Sequence, residues 1–245
     1  MDKPTSTSHN GCTYYLSPYV RYVDIADRVT ILDIRSESYF ALEPLASMMW
    51  KELAAGHTHT QCLDTITRQG TSDDPELADN LASFAQQCVD TGLLTLTADA
   101  PPSAKVKRRI PGIRKRFAST RAWLSLARTT LSLSRKGFFK TYTDALNIPA
   151  LYAVTDRDSR TVERAVSAFS RAENFFHLKK APLDCLPRSL ALFVFLRTSG
   201  LPAEHCIGVR QFPFTAHAWT ECNGHVVHDD PLNQENFSVI ARISL

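Results

Sequence analysis

A cysteine, a histidine and two aspartates late in the sequence have the types and the order needed for thiol-based nucleophilic catalysis. Pro187 lacks an amide donor and fits only the first turn of a helix, so the sequence predicts a helix that begins near Cys185. The positive end of a helix dipole favours the thiolate and raises its nucleophilicity. His217 follows in a later segment, where its imidazole can take the thiol proton while Asp229 or Asp230 fixes its tautomer.

Two alternating segments must position the histidine and its acid. Residues 204–210 and 214–222 are predicted strands, and Asn223-Gly224 favours a hairpin turn that returns the chain through residues 225–229. A cysteine on a helix, a histidine on a strand and an acid on the next strand resemble the arrangement in papain and the transglutaminases.

The length of the hairpin turn decides which aspartate lies opposite His217. A two-residue turn pairs Cys222 with His225 and places Asp230 there. A three-residue loop, with its glycine in a left-handed bulge position, places Asp229 there instead. Periodicity leaves both registers open.

Metal and nucleotide chemistry have little support in this region. Five further cysteines and histidines lie near the hairpin: Cys206, Cys222, His205, His225 and His228. They lack the ligand-pair spacing of zinc sites, so no metal is predicted and the two cysteines are expected to pack. Arg188 and Ser189 are expected to be helix-surface or local structural groups, and Trp219 either walls the cleft or fills the core. No glycine-rich phosphate loop is present, so no ATP site is predicted.

Length and composition indicate a globular chain of one or two domains. The 245 residues are 44% hydrophobic and 22% charged, which is ordinary for such a protein. The longest apolar run, residues 190–196, is far shorter than the roughly 20 residues that span a bilayer, and the N-terminus has no apolar signal core. Six cysteines without CxxC spacing suggest reduced thiols, so we expect a cytoplasmic protein.

Charge is distributed unevenly along the chain. Residues 1–100 contain 6 Lys/Arg and 14 Asp/Glu, whereas residues 105–140 contain 12 Lys/Arg and no acid. A run of small residues and prolines at 98–104 separates them. We therefore predict one domain over residues 1–98, a linker over 99–112 and a second domain over 113–245.

The basic segment is predicted to form an amphipathic helix. Arginines recur every seven residues, at Arg114, Arg121, Arg128 and Arg135. An apolar stripe accompanies them: Phe117, Leu124, Ala127 and Leu131. Nucleic acid, anionic lipid and the second domain itself are alternatives for the arginine face. The acidic first domain would repel phosphates, so we expect no nucleic acid, and peripheral membrane contact stays open.

Residues 1–98 predict strands followed by three helices and a short final strand, an arrangement similar to a winged helix. The string from Val29 to Leu94, with its LD, YF-x-LE, MMW and TGLL landmarks, resembles the PqqD-like recognition element. That element binds leader peptides by adding them as a strand. The resemblance implies leader contacts from five residues: Tyr39, Phe40 and Ala41 on a strand, with Phe84 and Cys88 on a helix.

The second half is similar to the lasso-peptide B proteins, which are leader peptidases with a transglutaminase-like fold. The resemblance rests on Cys185-Leu-x-Arg-Ser-Leu-Ala-Leu, Ile207-Gly-Val-Arg, Phe214-x-Ala-His-Ala-Trp and a following Val-Val with Asp229. The family's His-x₁₁-Asp interval implies Cys185, His217 and Asp229 as the triad. This chain has His-Asp-Asp where Asn-Asp is usual, which leaves Asp230 as the alternative acid.

Together these resemblances imply an α+β protein, with a winged-helix-like PqqD-type domain before a papain/transglutaminase-like domain. They imply a cysteine peptidase without a metal or cofactor of its own. It would cut the leader from a lasso-peptide precursor before an ATP-dependent, asparagine-synthetase-like cyclase closes the macrolactam. We expect the backbone amide of Cys185 to serve the oxyanion hole. A transglutaminase-type acyltransferase with the same triad, and a non-catalytic adaptor for peptide or nucleic acid, are the alternatives.

Overall fold

The computed structural model describes residues 13–69, 76–97, 118–148, 159–175 and 185–244. These residues divide into two compact units, of which the first comprises those up to residue 97 other than 35–37. Helices and strands occupy separate stretches within each unit, which confirms the predicted α+β class. The predicted linker at 99–112, and with it Arg114 and Phe117, lies outside the described residues.

The first unit contains the strands and the three helices that its sequence predicts. Its elements are β1 Tyr15–Leu16, β2 Val20–Ile25, β3 Arg28–Asp33, β4 Ser38–Ala41, α1 Pro44–Ala54, α2 His59–Arg68, α3 Leu77–Asp90 and β5 Leu94–Thr95. One antiparallel sheet has the order β2-β3-β4, and β1 pairs with β5. Local sequence sets the helix starts, since Pro44 opens α1 and Thr58 forms a capping box with Gln61 at α2.

Strand β4 is an edge strand in the described part of the chain. The amide of Leu42, just beyond it, donates to the carbonyl of Val29 at 2.9 Å. Backbone groups alternate in direction along an antiparallel strand, so the amides of Tyr39 and Ala41 point to the opposite, outer edge. This edge has the geometry that an added strand requires.

The second unit packs helices on a four-stranded antiparallel sheet. Its elements are α4 Ala118–Leu146, which is interrupted by a kink at Gly137, α5 Ser159–Asn174, α6 Cys185–Thr198, β6 Ala203–Arg210, β7 Thr215–Cys222, β8 His225–Val227, α7 Asn233–Asn236 and β9 Ser238–Ile243. The sheet order is β8-β7-β6-β9. Helix α6 is buried around most of its circumference between the sheet and helices α4 and α5. The sequence predicts the start of α6 and strands β6 to β8 correctly, but it does not reveal β9.

The face predicted for the basic helix is wrong. Leu124 and Leu131 are 38% and 49% exposed, whereas the buried face carries Ala122, Ser125, Leu126 and Thr129. Small and polar residues form the buried face because it lies closely against α6, where the Ser125 hydroxyl donates to the carbonyl of Ala191 at 2.8 Å. Arg121 is not a solvated cation, since it donates to the carbonyl of Thr198 at the end of α6, at 3.0 Å.

Within the described ranges, none of the helices has the length and hydropathy of a membrane-spanning segment.

Candidate active site

Cys185 lies at the first position of α6, with its side chain half-buried. Burial alone would raise the pKa of its thiol. Three effects outweigh burial and hold the pKa below its ordinary value: a hydrogen bond with His217, the backbone amides of Ala218 and Leu186, and the nearby imidazole charge. These contacts therefore make the thiolate easier to form than in a free cysteine, at a sulfur that remains partly exposed to solvent.

His217 on β7 connects this thiol to a carboxylate. Its Nε2 lies 3.1 Å from Oδ2 of Asp229, which leaves Nδ1 for Cys185. The hydrogen bonds with Asp229 and Cys185 raise the pKa of His217 to about 9, against the opposing effect of burial. Burial would raise the pKa of Asp229, but hydrogen bonds from His217 and from the amide of Asp230 lower it to about 2. A thiolate, an imidazolium and a carboxylate thus stabilise one another.

The structure places Asp229, and not Asp230, against His217, but by neither of the predicted routes. The hairpin turn has two residues, with Cys222 paired to His225, and by alternation alone this register would present Asp230. The ladder ends at Val227, and His228 has a left-handed backbone with φ of +62°. This reversal shifts the following residue onto His217. Asp230 instead accepts a hydrogen bond from the amide of Leu232 at 2.9 Å and caps the next turn.

Aromatic rings fix the plane of the His217 imidazole. Trp219 is fully buried and its ring lies 6.2 Å away, within 17° of parallel, while the Phe237 ring lies 5.6 Å away. Trp219 therefore belongs to the core and also supports the histidine, which answers the alternative that the sequence leaves open. Gly208, paired with His217 across β6 and β7, makes room for both rings.

We expect Gly208→Ala to destabilise the second unit by about 1–3 kcal/mol, as overpacking does elsewhere. A Cβ at this position would lie 2.6 Å from Cη2 and Cζ3 of Trp219 and 2.8 Å from the Cβ of Phe237. Chemical denaturation followed by fluorescence measures the loss. Gly208→Ala combined with Trp219→Phe should recover part of it, because phenylalanine lacks the two clashing atoms. A single variant as stable as the wild type would contradict the prediction.

Three residues around the acid were not recognised in the sequence as part of the site, and one of them contacts the acid directly. The guanidinium of Arg188, one turn along α6 from Cys185, contacts Oδ2 of Asp229 at 3.4 Å. Its Nε lies 3.9 Å from Oε1 of Glu173 on α5, whose Oε2 lies 2.5 Å from Nε2 of His228. Of the two roles expected for Arg188, the structure supports the local structural one and not that of a helix-surface group, since its side chain is largely buried against two carboxylates. The one sequence signal was the Cys-Leu-x-Arg spacing.

A second polar cluster joins α6 to the sheet behind the thiol. The Ser189 hydroxyl and Nε2 of His205 are 3.0 Å apart, and the Thr220 hydroxyl donates to the carbonyl of Ser189 at 2.8 Å. Complete burial lowers the pKa of His205 to about 3, so this imidazole is neutral. Ser189 has the local structural role expected of it.

Among the described residues, the other cysteines have the properties of packing residues. Cys62, Cys206 and Cys222 are buried in the core, and burial raises the pKa of each thiol. In the described ranges no group of three or more histidine, cysteine or acidic side chains is arranged to hold a metal ion.

The predicted leader contacts divide into two kinds. Tyr39 is half-buried on β4, and Phe40 and Ala41 are exposed there, so this strand is accessible to a ligand. Phe84 on α3 is partly buried. Cys88 is only 4% exposed within the hydrophobic core, and burial raises the pKa of its thiol to about 12. Its side chain is therefore a core residue, and a contact with the leader at Cys88 does not fit its burial.

The fold and the site are those of a known class: the chain belongs to the transglutaminase-like superfamily, whose model matches residues 116–242. Among curated proteins, Microcin J25-processing protein McjB of Escherichia coli is 43% identical over 68 residues, which is 28% of this chain. The match spans about a third (33%) of the length of that relative. The solved structure of TbiB1 in complex with the TbiA(beta) leader peptide is 27% identical, with a TM-score of 0.32; the match covers 35% of this chain and 99% of that one.

The predicted resemblance to the lasso-peptide B proteins is confirmed by the family model and by the match to McjB. The PqqD-like character of residues 1–98 stays a prediction.

Proposed function

We propose that this protein is a cysteine peptidase that removes the leader from a lasso-peptide precursor. The observation that carries the proposal is the mutual hydrogen bonding of Cys185, His217 and Asp229 at the N-terminus of the buried helix α6. A low-pKa thiol beside a protonated imidazole is the activated form of a cysteine nucleophile. The match to a microcin-processing protein supports the choice of substrate class.

The geometry supports an acyl-transfer sequence in two steps. The thiolate of Cys185 attacks the carbonyl carbon at the leader–core junction, and backbone amides at the start of α6 stabilise the oxyanion. His217 gives its proton to the departing amine of the core, which leaves a thioester between Cys185 and the leader. Neutral His217 then takes a proton from water, the hydroxide attacks the thioester, and the leader leaves with a free carboxylate. Asp229 holds the imidazole in position through both steps.

The first unit has the role of capturing the leader along the outer edge of β4. Holding the leader raises the effective concentration of the scissile bond at Cys185. The released core then carries a free α-amine, which is the nucleophile that a macrolactam requires. We propose that an ATP-dependent, asparagine-synthetase-like cyclase uses it, and that the peptidase step itself takes no cofactor.

Ala41→Pro should weaken leader binding about tenfold or more, equivalent to about 1.4 kcal/mol. The proline removes an amide that points to the outer edge of β4, while the pairing of β4 with β3 is retained. Binding is measured on the full chain by fluorescence anisotropy of a labelled synthetic leader. Ala41→Val, which keeps the amide and favours a strand, is the matched control. Equal affinity in the two variants would remove strand addition at this edge from the mechanism.

The function itself is tested with a synthetic precursor, drawn from the neighbouring reading frames, incubated with the protein in ¹⁸O-water. Mass spectrometry should show a single split and a leader whose new carboxylate carries ¹⁸O. A leader amide formed with added methylamine, without the ¹⁸O acid, would favour the acyltransferase. Binding without a split, even with the cyclase and ATP present, would favour the adaptor.

A further inference from the structure

The position of Asp229 depends on a left-handed backbone conformation at His228, where φ is +62°. Residues other than glycine are uncommon in this region, although asparagine, aspartate and histidine enter it more often than the other types. Without this reversal, the two-residue hairpin turn would present Asp230 to His217. A non-glycine residue is held in this conformation only where its surroundings compensate for the strain.

Helix α5 supplies those surroundings. Glu173 is hydrogen-bonded through Oε2 to Nε2 of His228 at 2.5 Å. One turn earlier, the buried Phe169 ring meets the same imidazole edge-on at 5.6 Å. Residues four apart share one face of a helix, so a single face of α5 contacts both a ring nitrogen and the ring face or edge of His228.

The Glu173 carboxylate also affects Asp229 through a second contact, its ion pair with Arg188. Oε1 of Glu173 lies 3.9 Å from Nε of Arg188, and a terminal nitrogen of Arg188 lies 3.4 Å from Oδ2 of Asp229. That oxygen is the one that accepts from His217. The Arg188 guanidinium therefore interacts with both carboxylates. Because Glu173 offsets part of its positive charge, Arg188 competes less strongly with His217 for Oδ2 of Asp229.

We propose that Glu173 is a positioning residue for the triad: it anchors the left-handed turn at His228 and moderates Arg188, and so holds Asp229 on His217. The inference rests on the proposed function, because it concerns the acid of the same Cys-His-Asp set. Glu173 has no contact with Cys185 or His217 in the described hydrogen bonds and ion pairs, so it acts through His228, Arg188 and Asp229.

The charged groups around the acid come from four segments. Helix α6 contributes Cys185 and Arg188, and β7 contributes His217. The turn after β8 contributes His228, Asp229 and Asp230, of which the last accepts from the backbone. Helix α5 contributes Glu173.

Replacing Glu173 by an uncharged side chain should loosen the turn at His228. It should also leave Asp229 as the only carboxylate that interacts with Arg188 in the described contacts. Both effects weaken the imidazolium, so the thiolate of Cys185 should form only at higher pH.

The test is the rate at which iodoacetamide alkylates Cys185 between pH 5 and 10, followed by peptide mass spectrometry in the full chain. Glu173→Gln should lower the rate at pH 6 about tenfold, since each unit in the thiol midpoint changes the thiolate fraction tenfold. Glu163→Gln, an exposed position on the same helix, is the matched control and should follow the wild type. A Glu173→Gln profile that coincides with the wild type would overturn the proposal. The readout needs no peptide substrate, so it stands apart from a failure of the proposed peptidase activity.

Two substitutions at His228 test whether the left-handed turn positions Asp229, without altering α5. His228→Gly loses the contacts with α5 but tolerates a positive φ, so it should shift the alkylation profile less than His228→Val. His228→Val disfavours it and should shift the profile in the same direction as Glu173→Gln. The pair decides the question even where Glu173→Gln lowers the melting temperature. A valine variant with the profile of the glycine variant would contradict the inference.

Discussion

Cys185→Ala protein should leave the precursor uncut, with leader release slowed by about 10⁴-fold or more, as when other enzymes lose their nucleophile. The substitution removes the sulfur whose pKa is lowered by the hydrogen bond with His217 and by the backbone amides of Ala218 and Leu186. In its absence the first step has no nucleophile with which to form the thioester. Mass spectrometry of a time course with the full precursor measures the loss.

Cys222→Ala provides the matched control for this substitution. Cys222 is buried at the end of β7, and burial raises the pKa of its thiol to about 11, so it is an inert packing group. The control should cleave at nearly the wild-type rate. Leader binding should survive in both variants, because the proposed leader site lies in the first unit. A Cys185→Ala protein that still releases the leader would eliminate the covalent mechanism.

Asp229→Ala should slow cleavage by about 10²–10⁴-fold, in line with the loss of the acid in other triads. The hydrogen bond from His217 to Asp229 is the largest cause that raises the pKa of the imidazole to about 9. In the wild type the imidazolium persists up to that pH, and cleavage should fall above it, because the departing amine loses its proton donor. Without Asp229 the pKa falls toward its ordinary value, so the alkaline decline should begin at a lower pH.

Asp230→Ala separates the two neighbouring acids. Asp230 is exposed and accepts only from the backbone in the contacts described, so its loss should leave the alkaline limb near pH 9. The pH–rate profiles of the two variants are the measurement. Equal profiles for Asp229→Ala and Asp230→Ala would show that the carboxylate on His217 does not set its proton affinity.

Much of the site could be predicted because it depends on local sequence. Pro187 confines the helix start to Cys185, and Asn223-Gly224 predicts a hairpin turn where the structure has one, although the sequence leaves the length of that turn open. These signals place the thiol at a helix end and the histidine on a strand without knowledge of any tertiary contact.

The assignment of the acid could not be derived in the same way. The left-handed backbone conformation at His228 is not marked in the sequence by a glycine or an asparagine. It is stabilised by groups on α5 that lie far away in sequence. The buried face of α4 was misjudged for a related reason. Leu124 and Leu131 have the periodicity of a core stripe, but the close approach of α6 favours small side chains at that contact.

The burial of α6 also attaches the nucleophile to a segment that is well buried among the described residues. Eight of its 14 residues, from Ser189 to Arg197, are buried. Backbone amides in such a helix exchange with deuterium only when the surrounding unit opens cooperatively. Cys185 is anchored to that segment, so local fluctuations of surface loops do not displace the sulfur, and alkylation competence should disappear together with the last protected amides on heating.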